Sequence, residues 1–268
     1  MSTRQRQIRL FLGVKVSMAT IRALSETAEQ LRRAAYEAGY QIRWVAPATY
    51  HITLAFLGWT QPEAVELIYD RLQPRLASMP SFEFTTIGLG AFPSAKHARV
   101  IWAGVDDPRG QLTALASAIA DELEPAGFAR EKRPFHAHVT LGRVKRVDDV
   151  SSLVEERGGR SERAEQNFRT TRVNSVALFE STMKSSGSEY TVRAEIGLSG
   201  YREGEKRQTP PLQQSREAST GEPSPNMSRG TAMESSLDSS IDRLEVDQLE
   251  PGQDEPASAY QEPEESKE

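Results

Sequence analysis

One short pattern occurs twice in this chain, at matched places. His51-Ile52-Thr53-Leu54 and His138-Val139-Thr140-Leu141 stand 87 residues apart, and what surrounds them repeats as well. Arg9 to Val14 reads as a short apolar strand. Ser17 to Ala38 carries Ile21, Leu24, Ala28, Leu31 and Ala35 at helical spacing, with Gly39 as the stop. Trp44-Val45 and His51 to Leu57 read as strands, Pro62 to Leu76 as a helix, and Phe82 to Phe92 and Val100 to Val105 as strands. The second half keeps the order: a helix over Gln111 to Leu123 with Gly127 beyond it, a strand over Phe135 to Leu141, and a short helix over Val147 to Glu156. Strands over Phe168 to Phe179 and Tyr190 to Ile196 complete it. Gly39 to His51 is twelve residues and Gly127 to His138 eleven; His51 to Phe82 is 31 and His138 to Phe168 is 30. Such self-similarity predicts two lobes, one per half, each with a sheet and two helices about a pseudo-twofold axis. The fold class expected is α+β, with two mainly antiparallel sheets, helices outside and a cleft between the lobes.

Residues two apart on a strand share a face, so each motif sets an imidazole and a hydroxyl side by side. The pseudo-twofold axis would bring both pairs to one cleft. Two imidazoles titrating near pH 6.5 can act together, one neutral as base and one charged as acid. Threonine hydroxyls can hydrogen-bond oxygens where negative charge develops. This set suits hydrolysis of a phosphodiester without a metal, above all a strained cyclic one. The candidate catalytic residues are therefore His51, His138, Thr53 and Thr140.

Composition narrows the rest. The chain has no cysteine, which excludes disulfides, thiolate chemistry and cysteine-built zinc sites. His136 and His138 lack a third ligand in sequence, so no metal and no cofactor are expected. Charge is uneven: residues 201–268 hold seven Lys/Arg and sixteen Asp/Glu, whereas 1–200 hold 26 and 22. A mildly basic body, net +4, is joined to an acidic stretch, net −9. The basic body is compatible with an anionic partner. The acidic stretch lacks the apolar surface to offset ordering entropy and reads as a disordered tail. Within it Met233, Leu237, Ile241 and Leu244 fall at helical spacing, a stripe that could meet an unknown partner. No segment has membrane-spanning length and no signal peptide is recognisable. A cytoplasmic monomer without membrane association is expected, with a domain over 1–200 and the tail over 201–268.

The segments RLFLGV, RWVAPATYHITLAFLG, GAFPSAKHARVIWAGV, RPFHAHVTLGRV and VALFESTMKSSGSEYTV span roughly residues 8–197. In this order and spacing the chain resembles the 2H phosphoesterases, specifically the bacterial RNA 2',3'-cyclic phosphodiesterase and 2'-5' RNA ligase group. The resemblance implies a V-shaped bilobal fold, RNA with 2',3'-cyclic phosphate ends as partner, and a 2'-phosphate as product, with ligation as the reverse reaction. It implies His51 as proton donor and His138 as proton acceptor, roles that the residues alone leave open. It also implies that Arg143 holds phosphate or RNA backbone. The group often has proline before the second histidine, where this chain has Ala137. It says nothing of 201–268.

Arg143 lies five positions after His138, which strict strand parity puts on the opposite face; a bulge at Gly142 would redirect it. Phe11, on the first strand, is a candidate for stacking on a base, against membership of the core. Trp44, Phe56 and Trp102 read as core. Lys96, His97 and Arg99 lie near a turn, as phosphate contacts or solvated residues. Other enzyme readings are a phosphodiesterase acting on 2'-5' oligonucleotides or on a sugar phosphate. A non-catalytic RNA-binding module is the alternative from a different class, and loss of a motif histidine or threonine would mark it; all four are present.

Overall fold

The computed structural model describes residues 7–158, 169–184 and 187–199, and every element below lies in the unit ending at Arg202. The first strand, β1 (Ile8–Lys15), sets the plan. Its odd and even residues take opposite faces: Ile8, Leu10, Leu12 and Val14 enter the main core, and Arg9, Phe11, Gly13 and Lys15 share the other side. Beside β1 lie β3 (His51–Thr60) and β8 (Ser175–Lys184), and β9 (Gly187–Gly197) follows, giving a four-stranded sheet in the order β3-β1-β8-β9. The second sheet has five strands: β2 (Ile42–Trp44), β6 (His138–Asp148), β5 (Ala98–Asp106), β4 (Phe82–Phe92) and β7 (Thr170–Val173), in the order β2-β6-β5-β4-β7. Every ladder within both sheets is antiparallel.

The helices cover the core faces. In α1 (Met18–Glu37) the Ser17 hydroxyl caps the first turn by accepting from the Thr20 amide at 3.1 Å. Leu24, Ala28, Leu31 and Ala35 are buried below it. The remaining helices are α2 (Ala64–Ala77), α3 (Gln111–Leu123) and α4 (Ser151–Gly158). Leu112, Leu115, Ile119 and Leu123 of α3 are all buried, as their spacing requires.

The two lobes are not the two sequence halves, which corrects the expectation from the repeat. After β1 the chain crosses over, so that α1 packs on the five-stranded sheet, with β2 and β7. A pair of hydroxyls, Thr20 and Thr171, both fully buried and 2.9 Å apart, pins α1 to β7. In the second half α3 crosses the other way, onto β3 and α2. The third strands exchange as well, so β3-β1-β8 in one sheet matches β6-β5-β4 in the other. Hydrophobic period reports which face of an element is buried, not which sheet it joins, and the exchange is therefore not readable from spacing. The strand expected over Phe168 to Phe179 is two strands, β7 and β8, broken at Asn174 and belonging to different sheets; Phe168 lies outside the described residues. The strand expected from Phe135 begins at His138 and runs on to Asp148, and the helix expected from Val147 begins at Ser151. Residues 201–268, with the Met233, Leu237, Ile241 and Leu244 stripe, lie outside the described residues.

Candidate active site

Bulges bring the chemistry together. On β3, Thr53 pairs with Gly13 while Ala55 pairs with Leu12, so Leu54 is an extra residue. On β6, Thr140 pairs with Trp102 while Gly142 pairs with Ile101, so Leu141 is extra. The two bulges occupy the same place in the repeat, directly after each His-x-Thr. Each reverses strand parity beyond it. Arg143 therefore falls on the face of His138 and Thr140, as its Val100 pairing shows. Phe56, five positions after His51 as Arg143 is after His138, falls on the face of His51 and Thr53, opposite Phe11.

Strands β3 and β6 approach one another across the two sheets. The His51 Nδ1 lies 2.7 Å from the Thr49 carbonyl oxygen, and the His138 Nδ1 lies 2.7 Å from the His136 carbonyl oxygen. A carbonyl only accepts, so both Nδ1 atoms carry the proton, and both Nε2 atoms are left to gain or lose one. The carbonyl two residues upstream does this in each motif, a second repeat of geometry beneath the repeat of sequence. The His51 Nε2 is 3.1 Å from the Thr53 hydroxyl, which donates to it when the ring is neutral.

Burial holds His51 well below the ordinary histidine range, at about 4; its bond to Thr49 opposes this, while the charges of His138 and Arg143 add to the lowering. Burial also lowers His138, against its bond to His136 and with the charges of His136 and Arg143 adding. Two imidazoles and one guanidinium thus share a partly desolvated region that by itself disfavours a proton on either ring. The arrangement favours an anion, and a bound anion would raise both histidines again.

Each histidine has its own aromatic packing. The His51 ring lies 4.9 Å from Phe11, 5.2 Å from Tyr190 and 5.8 Å from Phe179, centre to centre. Phe11 stacks on Phe179 at 4.9 Å. Gly13 leaves room for this: a Cβ there would stand 2.8 Å from the Ile52 carbonyl oxygen and 3.4 Å from the His51 ring. The His138 ring lies edge-on to Phe92 at 5.0 Å, and Trp102 packs against His136 at 5.0 Å. Gly90 admits the Trp102 ring, since a Cβ would overlap it at 2.3 Å.

His51, Thr53, His138, Thr140 and Arg143 thus share one region. Phe11 is adjacent but only 3% exposed; it backs the His51 ring and has no free face for a base. Trp44 packs against the core as expected. Phe56 does not: it is 53% exposed, turned out by the bulge at Leu54. Trp102 lies on the histidine face of its sheet rather than in the core, opposite Thr140. Lys96, His97 and Arg99 are exposed at the far end of β5 from Gly104, the residue paired with His138. Among the described residues no three His, Cys, Asp or Glu side chains cluster to hold a metal, and no helix is long and apolar enough to cross a membrane. Tyr190 and Phe179 escape a reading of the sequence, because they come from strands about 130 residues beyond His51. The exchanged third strand β8 and the strand β9 paired to it bring them near.

Comparison with known proteins agrees with this geometry. The family model of the 2'-5' RNA ligase superfamily matches residues 21–182. The RNA 2',3'-cyclic phosphodiesterase of Aquifex aeolicus is 33% identical over 199 residues, covering 72% of this chain and 98% of that protein. The RNA 2',3'-cyclic phosphodiesterase of Aeropyrum pernix is 31% identical over 169 residues, 62% of this chain and 92% of that one. Among solved structures, a protein of Thermus thermophilus aligns with a TM-score of 0.56 at 26% identity, covering 73% of this chain and all of its own. With two bulged His-x-Thr strands facing each other across paired antiparallel sheets, this chain belongs to the 2'-5' RNA ligase superfamily of 2H phosphoesterases.

Proposed function

We propose that this chain hydrolyses RNA 2',3'-cyclic phosphate ends to 2'-phosphomonoesters by acid–base catalysis between His51 and His138, without a metal. The observation that carries the reading is the matched pair of imidazoles, each with Nδ1 bound to a carbonyl at 2.7 Å and Nε2 left to exchange a proton. The relatives' names supply the substrate class.

In the proposed step, a water attacks phosphorus and gives its proton to His138 Nε2. The bond from phosphorus to the ribose O3' breaks, and O3' takes the proton from His51 Nε2. The phosphate stays on O2', and the two rings end with their protons exchanged. Thr53 and Thr140 donate to the non-bridging oxygens as charge builds, and Arg143 neutralises the anion. That anion raises the pKa of the depressed His51, so that it carries a proton when substrate is bound. Phe11 positions the His51 ring and is not itself a contact to RNA. The same step with a ribose 5'-hydroxyl in place of water, O3' again leaving with the proton from His51, is a 2'-5' ligation. The product decides the reading: a cyclic mononucleotide should yield its 2'-phosphate, as followed by phosphorus NMR. Accumulation of the 3'-phosphate would contradict it.

A further inference from the structure

The four side chains that β3 shows to the histidine face are His51, Thr53, Phe56 and Trp59. They are unevenly spaced in sequence but evenly spaced in the sheet, opposite Lys15, Gly13, Phe11 and Arg9 of β1. Two extra residues make this so. Leu54 brings Phe56 to the face, and Leu57, followed by Gly58 at φ +71°, brings Trp59 after it. Partners on β1 are two residues apart, so the rows lie roughly 6.6 Å from one another. Phe56 is 53% and Trp59 65% exposed, whereas Ile52 and Leu54 on the reverse of the strand are buried. Two large aromatics held out to solvent in register with a catalytic pair need an explanation that a core does not give.

We infer that Phe56 and Trp59 form a stacking track for the last two bases of a single-stranded RNA end, making the preferred substrate an oligonucleotide rather than a mononucleotide. This rests on the reading of His51 and His138 as the cyclic phosphodiesterase pair. The row spacing is about twice the 3.4 Å rise of stacked bases in a duplex strand. It suits bases splayed apart, each lying on its own ring. With the cyclic phosphate at Thr53 and His51, the terminal base meets Phe56 one row away, and the preceding base meets Trp59 in the next. Arg9, across from Trp59, adds a cation to that row, as a backbone of phosphates requires. An aromatic track beside guanidinium groups takes any base, so the selection is for a single strand and for length rather than for sequence.

The test compares kcat/KM on a trinucleotide ending in a 2',3'-cyclic phosphate with that on the matching cyclic mononucleotide. Wild type should favour the trinucleotide. Trp59→Ala should lower its kcat/KM roughly 5- to 150-fold, mainly through KM, and bring the ratio of the two substrates towards one. Trp59→Phe should retain most of the preference. Tyr36→Ala, which changes an aromatic side chain 87% exposed on α1, should leave both rates unchanged. Equilibrium binding of the 2'-phosphorylated trinucleotide should weaken in Trp59→Ala by a similar factor. A wild type that cleaves both substrates, with a ratio that Trp59→Ala does not move, overturns the track and leaves the proposed function intact. A wild type that cleaves neither sinks the proposed function, and the track then stands or falls on the binding difference alone.

Discussion

At the scale of single residues, the proposed acid–base pair rests on two nitrogen atoms, His51 Nε2 and His138 Nε2. His51→Ala and His138→Ala should each lower kcat by roughly 10² to 10⁴ while melting close to wild type. Thr53→Val and Thr140→Val each remove one hydrogen bond to developing charge and should cost about 10- to 150-fold. The pair sets the pH dependence. In the proposed mechanism activity needs one proton on the pair, and burial lowers both histidines from the ordinary range in the free protein. The optimum of kcat/KM should therefore lie on the acid side of about 6.5. Bound phosphate raises both rings, so the kcat optimum should lie at higher pH than that of kcat/KM. Coincident optima near pH 8 would point to another base. The same depression acts on stability. Between pH 6.5 and about 4 the unfolded chain binds a proton at His51 that the folded chain refuses. Stability should thus fall as pH drops through that window and level off below it. In His51→Asn, thermal melts across the window should show a shallower decline.

At the scale of elements, the bulges and the glycines opposite them hold the site. Gly13→Ala would force a Cβ against the Ile52 carbonyl oxygen at 2.8 Å, and overpacking of this kind costs about 1–3 kcal/mol. Because the strain falls beside His51, the variant should lose turnover while retaining the fold, with circular dichroism as the check. Leu12→Ala, on the core face of the same strand, should do the opposite: it should destabilise by about 2–5 kcal/mol and change kcat little below its lowered melting temperature. Much of this scale is legible in the sequence. The spacing of Leu112, Leu115, Ile119 and Leu123 sets α3 to the residue, and Ser17 and Gly39 bracket α1. A bulge beside Gly142 is the route by which Arg143 can reach the histidine face, and the sequence already offers it. The matching bulge at Leu54 is not legible, because a leucine in an apolar run carries no sign of being extra. Phe56 reads as core for that reason.

At the scale of the whole molecule, the duplication announces the fold class and the meeting of the two His-x-Thr strands, but not the exchange of helices and third strands between the sheets. Contacts between elements far apart in sequence decide that exchange, and two similar halves offer each strand two chemically similar partners. Tyr190 and Phe179 go unseen as neighbours of His51 for the same reason. We propose that residues 1–200 suffice for catalysis, since the paired sheets and both motifs lie within them. Truncation after residue 200 should leave turnover of a cyclic mononucleotide unchanged, and a truncated chain that fails to fold would move the boundary. The central claim, that two histidines alone supply the acid and the base, is tested most directly by turnover of a 2',3'-cyclic mononucleotide in excess EDTA. Wild type should keep its full rate of 2'-phosphate formation, and His51→Ala and His138→Ala should each lose most of it. Loss of the wild-type rate in EDTA, with recovery on adding one divalent metal, would contradict the two-histidine mechanism.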